Sequence, residues 1–250
     1  MNNLYVHHHP DNLYVHHHLG LGDCIDCNAM IRIFMAECGF KSVHVFCKRS
    51  YFNMVEHMYR DNENIHVIEV PNETEYESIK AFVENNDIKN FLKVGHEFYP
   101  HEQEKKLNKG CAEIFYELVN LDPERRFDDF YYEREESEED RVLAKLNPEN
   151  KEFVFVHDDP ARGFEISDET IRQLCGDVHV IRNDITENIF HFCKLLEQAK
   201  EIHLMESAFK SLVEVLDTTD KLFFHNFREG ASSLLGNTRK TWNEVKYVPA

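Results

Sequence analysis

Residues 12–32 read NLYVHHHLGLGDCIDCNAMIR, and the order of residue types in this stretch decides the fold. Asn12 to His18 is taken as the first core strand because it runs directly into Leu19-Gly20-Leu21-Gly22-Asp23. Ile25, Ala29, Ile33 and Ala36 then recur at helical spacing, so an amphipathic helix is predicted from Asp23 to Cys38, with Gly39 as its stop. Glycine in the connecting turn permits positive φ and lets a ligand approach the backbone. The helix that follows offers free N–H groups and the positive end of its dipole. Asp23 at that point has two readings, an N-cap or a general base at the mouth of a cleft. The spacing Gly20-x-Gly22-x-x-Ile25 lacks the third glycine of a dinucleotide fingerprint.

Asn3 to His9 repeats the NLYVHHH of Asn12 to His18, with Pro10-Asp11 between the copies. Successive strand residues point to opposite faces, so a His triplet cannot aim three rings at one ion. The first copy is read as a local duplication, residues 1–11 forming an N-terminal extension, the alternative being that its His residues bind a metal.

Beyond residue 32 the pattern alternates. Strands are predicted at Ser42 to Cys47, Ile65 to Val70 and Phe91 to Gly95, and helices at Ser50 to Tyr59, Glu73 to Asn86 and Gln103 to Asn120. Such β-α repetition predicts a parallel sheet covered by helices. Between Glu124 and Arg141 nine acidic residues face four Arg, a run read as a solvated helix or linker. Alternation resumes with strands at Glu152 to His157, Val178 to Arg182, Glu201 to Met205 and Lys221 to His225. The intervening helices fall near Ser167 to Cys175, Glu187 to Gln198 and Ser207 to Leu216. The expected organisation is an α/β protein with an N-terminal Rossmann-like domain over 12–133, an acidic linker or helix over 134–150 and a C-terminal Rossmann-like domain over 151–250.

The 250 residues carry 46 acidic and 28 basic side chains, a formal charge of −18 with 16 His counted neutral. A surface this acidic repels phosphate backbones, which argues against general nucleic-acid binding and against anionic membranes. No apolar run reaches the roughly 20 residues of a membrane helix, and the N-terminus lacks signal-peptide regions. A soluble, cytoplasmic protein is expected. Seven Cys, an odd number lying mostly in apolar stretches, read as reduced thiols. Cys24 and Cys27 form a C-x-x-C, open to a dithiol redox reading. A zinc site would need a second ligand pair of similar spacing.

Ligands of open α/β sheets bind at the carboxyl ends of strands, so the loops there hold the candidate chemistry. Besides His18, Gly20, Gly22 and Asp23, two loops stand out. His157-Asp158-Asp159-Pro160-Ala161-Arg162-Gly163-Phe164 combines His, two carboxylates and an Arg able to pair with phosphate, the alternative being a local Asp-Arg pair. In Glu206-Ser207-Ala208-Phe209-Lys210-Ser211 the Ser207 hydroxyl and the first helical N–H groups can hold an anion, the alternative being capping alone. Together the loops suggest a nucleotide-bearing ligand in an interdomain cleft.

HHHLGLGDCIDCNAMIR (16–32), FVFVHDDPARGF (153–164) and AKEIHLMESAFKSLVEVL (199–216) resemble the corresponding segments of GT-B glycosyltransferases related to the lipopolysaccharide heptosyltransferases. The resemblance covers the order of elements across most of the chain and implies two Rossmann-like domains facing a cleft. It further implies hexosyl or heptosyl transfer from a nucleotide-sugar donor to the hydroxyl of a glycan or other acceptor, inverting and metal-independent, with no cofactor. By the same resemblance Asp23 is the base, and Arg162 contacts the donor phosphates where a Lys is more usual. Ser207 begins the diphosphate-binding helix, and Asn183 lies near the base or ribose. His157, Asp158, Glu206 and Ser211 complete the expected donor site. A non-catalytic nucleotide- or sugar-binding protein on the same frame is the main alternative.

Overall fold

The computed structural model describes residues 11–17, 20–95, 109–228, 235 and 237–247. Residues 1–10, His18 and the beginning of the helix expected from Gln103 lie outside the described residues. The chain divides into two compact units, Met1–Leu107 with Cys111–Glu133, and Asn108–Gly110 with Arg134–Ala250. Among the described residues no helix is long and apolar enough to cross a membrane.

In the first unit β1 (Asn12–His17), β2 (Ser42–Lys48), β3 (Ile65–Val70) and β4 (Phe91–Val94) pair in parallel in the order β3-β2-β1-β4. The chain steps outward from β1 to β3 and then returns to β1's other side, so strand order reverses at β1. The loop after β1 therefore leaves a topological switch point, where open α/β sheets bind ligands. Val15, Val43, Val45 and Phe46 are fully buried on this sheet. The helices are α1 (Leu21–Asp26), α2 (Asn28–Glu37), α3 (Phe52–Tyr59), α4 (Glu75–Asn85), α5 (Cys111–Leu118) and α6 (Arg125–Asp128). Phe46, Val70 and Ile79 form one apolar cluster, against which Tyr14, Phe82 and Phe91 pack.

The single helix expected from Asp23 to Cys38 is in fact two, α1 and α2, separated at Cys27. The cause is Tyr116 on α5. Its hydroxyl donates to the Asp26 carbonyl (2.9 Å) and accepts from the Met30 N–H (3.0 Å), the two groups that would bond each other in an unbroken helix. A side chain inserted into the i to i+4 ladder breaks a helix in this way, and apolar spacing carries no trace of it. Gly39, at φ 74°, lies in the left-handed region that stops α2.

In the second unit β5 (Phe153–His157), β6 (His179–Arg182), β7 (Glu201–Leu204), β8 (Leu222–Asn226) and β9 (Trp242–Lys246) form a parallel sheet in the order β6-β5-β7-β8-β9. Here the order reverses at β5. The helices are α7 (Glu136–Leu146), α8 (Asp168–Cys175), α9 (Cys193–Gln198) and α10 (Ala208–Val215). β5 is buried on both faces: Val154 and Val156 pack with Ile166 and Ile171, while Phe155 meets Phe192 and Phe209.

Three expectations are corrected in this unit. The acidic run forms the helix that was one of its two readings, but not a solvated one, because α7 docks on α9 with Val142 and Glu139 buried. The helix expected at Glu187 begins as a 3-10 turn, Ile189–Phe192, capped by the Asn188 side chain, which accepts from the Phe190 N–H (3.1 Å). β9 went unpredicted because WNEVK, on the sheet edge with a mostly half-exposed face, carries the polar side chains that edge strands tolerate.

Candidate functional site

At the switch point of the first unit, Gly20 is the N-cap residue of α1 and Asp23 its third residue. Asp23 is thus not the N-cap. Its Oδ2 instead accepts a hydrogen bond from the Gly20 N–H (3.0 Å), reaching back over the turn as the acidic partner of a capping box does. Burial pushes the Asp23 pKa up to about 7, and the neighbouring Asp26 carboxylate pushes the same way; the Gly20 N–H and Lys48 oppose them. A carboxylate titrating near neutrality is matched to proton abstraction at physiological pH. Gly22, placed in the cleft loop by the sequence, lies inside the first turn of α1.

Gly20 has an ordinary extended backbone, φ −83° and ψ 153°. It is required for a different reason: a Cβ there would meet Asp23 Oδ2 at 2.4 Å. Gly20→Ala should therefore fold with little loss, under about 1 kcal/mol, while turning the carboxylate away. Turnover is expected to fall about tenfold to a hundredfold, with the Tm changing by only a few degrees. A variant that loses stability but keeps its rate would contradict this role.

The same strand ends hold residues that sequence reasoning missed. Lys48, closing β2, pairs with the buried Glu75 (2.7 Å). The His16 ring lies near Tyr76 and Phe91, with centroids 5.3 Å and 6.4 Å away. Lys48 follows the carboxyl-end rule as plainly as Asp23, but it falls within a strand and outside any loop motif.

Cys24 and Cys27 are buried; a hydrogen bond with Cys47, reinforced by burial, holds the Cys24 thiol well above the usual thiol range, and burial does the same for Cys27. A redox dithiol needs one depressed pKa, so the C-x-x-C reading is set aside.

In the second unit the structure brings together His157, Asn183 and Phe209. His157 Nδ1 donates to Asn183 Oδ1 (2.8 Å), and its ring packs 4.6 Å from that of Phe209. Burial lowers the His157 pKa, so the imidazole is neutral near pH 7 and held as an oriented ring.

Asp158 has a structural role. Its Oδ2 accepts from the Ile166 N–H and from Arg182, each at 2.8 Å, with the side chain nearly buried. Through Oδ2 it pins the 158–166 loop. Arg182, unpredicted, also donates to the Ile166 carbonyl (2.7 Å) and to Asp168 (2.8 Å).

Arg162 is exposed, and its Nε donates to Asp159 Oδ2 (2.6 Å). The local Asp-Arg pair foreseen as the alternative is therefore present, and a phosphate at Arg162 would compete with Asp159.

Ser207 stands at the N-cap position of α10 with extended backbone, φ −163° and ψ 171°, yet its side chain makes no capping bond. Its Oγ is buried without a hydrogen-bond partner among the described residues. Buried polar groups are nearly always paired, so an orphan hydroxyl beside free helical N–H groups marks a place for a hydrogen-bonding ligand. Glu206 pairs with Arg228, and both line a small cavity with Phe164, Met205, Phe224 and Phe227. Arg228 follows β8 by two residues, so the carboxyl-end rule would have found it. Ser211 lies one turn into α10, half-buried.

No protein-family model and no curated protein matches the sequence. The fold is similar to that of a glycosyl transferase family 9 protein from Veillonella parvula, with TM-score 0.59 and 9% identity over 96% of this chain and 88% of that one. It is similar also to Escherichia coli ADP-heptose lipopolysaccharide heptosyltransferase II, with TM-score 0.56 and 8% identity over 96% and 92% of the two chains. At such identities the likeness is one of fold: two Rossmann-like units, each built on a parallel sheet.

Proposed function

We propose that the protein is a glycosyltransferase that moves a sugar from a nucleoside diphosphate to an acceptor hydroxyl by direct, inverting displacement. The observation that carries this reading is the Asp23 carboxylate, fixed at a switch point with a pKa of about 7. Asp23 accepts the acceptor's hydroxyl proton as its oxygen attacks the anomeric carbon, and the bond from that carbon to the diphosphate breaks on the opposite face. Negative charge then grows on the leaving diphosphate. The N–H groups opening α10, the Ser207 hydroxyl and the Arg162 guanidinium meet that charge, the role a cation would otherwise play, so the reaction runs without metal or cofactor. His157, held by Asn183, offers a neutral ring edge to the donor's nucleoside or sugar. The likeness to a heptosyltransferase supports the class of reaction, and hexosyl and heptosyl donors are both candidates.

The test is a panel of nucleoside diphosphates and their hexose and heptose derivatives. One nucleoside diphosphate should raise the Tm, and its sugar should turn over to the free nucleotide, slowly with water and faster with a suitable hydroxyl acceptor. Binding without any turnover across the panel would leave a non-catalytic nucleotide-sugar binder on the same frame. The protein acts in the cytoplasm on this reading, where nucleotide sugars and reduced thiols coexist.

A further inference from the structure

On the face of the second sheet turned away from His157 lies a cluster that the proposed transfer does not use. Glu201 and His203 are two apart on β7 and so share a face, which register aligns with Val154 and Val156 of β5. Cys175, the last residue of α8, lies over the same face, packed on the Val154, Val156 and Ile171 cluster. One ligand atom from each of Cys175, Glu201 and His203 falls within 4.8 Å of the others. We propose that these three side chains bind a divalent transition-metal ion of the zinc class and so fasten the C-terminal end of α8 to the sheet.

Without an ion the Cys175 thiol donates to the Ile171 carbonyl (3.1 Å) and lies within hydrogen-bond reach of His203, and the same spacing leaves room for an ion among the three side chains. His203 Nε2 lies 3.7 Å from Cys175 Sγ and 3.9 Å from Glu201 Oε2. The second separation is too long for an N–H···O bond. Bonds of about 2.3 Å to sulfur and about 2.0 Å to nitrogen or oxygen, at tetrahedral angles, set ligand atoms about 3.5 Å apart. The two edges that meet at His203 need to close by roughly half an ångström or less, and the third pair lies within 4.8 Å.

The other side of His203 is arranged for a ligand. Its Nδ1 lies 3.0 Å from His225 Nε2, and His225 Nδ1 lies 2.7 Å from the Tyr247 hydroxyl. With each Nδ1 protonated, His203 donates to His225 and His225 to Tyr247, which leaves the His203 Nε2 lone pair facing Cys175 and Glu201. A second ring hydrogen bond of this kind fixes the tautomer and orientation of metal-binding His. Phe223 stacks on the His203 ring at 4.4 Å and 1°, holding its plane. Lys221 donates to Glu201 Oε1 (3.1 Å) and leaves Oε2 toward the site. Cys175 is half-buried, so solvent can supply a fourth ligand. On binding, a metal–sulfur bond replaces the Cys175 S–H bond and the proton passes to solvent, with no change in oxidation state.

Cobalt(II) is the probe, titrated into the full-length protein under reducing conditions. Thiolate ligation gives a sulfur-to-cobalt charge-transfer band in the near ultraviolet, whereas His residues elsewhere in the chain can bind the ion only through nitrogen and give none. The band should saturate at one equivalent, disappear in Cys175→Ser and persist in Cys38→Ser. Glu201→Gln should weaken cobalt binding at least about tenfold, the loss of one charged ligand. Zinc at about a hundredfold excess over its Kd should raise the Tm by roughly 5 to 10 °C, and by nothing comparable in Cys175→Ser. A missing band, or a band and Tm shift that survive Cys175→Ser, overturns the site. Equal binding by Glu201→Gln overturns the three-ligand set.

Discussion

Asp23→Asn is expected to lower sugar transfer by about a hundredfold to ten-thousandfold, the usual loss when a general base is removed, while donor affinity and fold are kept. Asparagine preserves the shape, and its Oδ1 can still accept from the Gly20 N–H, so the substitution isolates proton acceptance. In the parent, kcat/KM should rise with pH through about 7, the value at which Asp23 gains its charge. In the variant that limb should vanish. Asp26→Asn removes a neighbouring charge that raises the Asp23 pKa, so the midpoint of the limb should move toward acid. Stability follows the opposite sign. Because the folded-state pKa lies above the ordinary value of 3.8, the folded protein holds a proton between those values that the unfolded chain has lost. The contribution is therefore fully present below pH 3.8 and is lost as pH rises through about 7. Asn cannot ionise, so at pH 8 the variant should be more stable by roughly 1–2 kcal/mol, a fraction of the full linkage because solvent reaches part of the side chain. Loss of activity with gain of stability is the signature of a strained functional carboxylate. A variant with unchanged turnover would remove Asp23 from the mechanism.

How far the sequence carried this reading depends on the kind of interaction concerned. The succession of strands and helices and their parallel pairing were legible because apolar runs and helical spacing are local patterns, and alternation of the two fixes the sheet type; the order of strands within each sheet was not. Asp23 and Ser207 were legible as candidates because strand, turn and helix follow one another directly there. The break at Cys27 was not, since the hydroxyl that makes it comes from Tyr116, far along the chain. The loop-pinning role of Asp158 was not legible for a related reason. A polar residue at a strand's end looks the same in sequence whether it faces a ligand or, as here, an Arg 24 residues away. The Cys175, Glu201 and His203 cluster joins a helix end to a strand, and no spacing motif for metal ligands covers that arrangement.

Glu139 is the other residue whose role composition concealed, and its replacement should give the largest loss of stability. Within a run of acidic residues it is 1% exposed. Arg134 holds it with two donors, Nε at 2.7 Å and the Nη2 group, and also pairs with Glu197 (2.5 Å). Glu139 Oε2 further accepts from the Lys194 N–H (3.2 Å), one of the donors left unpaired where α9 begins. One carboxylate thus ties α7 to the start of α9 and neutralises an Arg. Glu139→Ala strands part of that charge and leaves the Lys194 N–H without its acceptor, a combination expected to cost about 3 to 5 kcal/mol. Glu139→Gln keeps the shape and one good acceptor, and should cost roughly half as much. The measurement is selective because the chain's one tryptophan, Trp242, sits on β9 of the same unit. Urea unfolding followed by its fluorescence therefore reports on the second unit, while circular dichroism, which sums both units, shows the first unit as the part of its change that fluorescence does not follow. If the acidic run were only a solvated face, Glu139→Ala would shift the tryptophan transition by no more than its neighbour Glu136→Ala, and α7 would not be part of the folded unit.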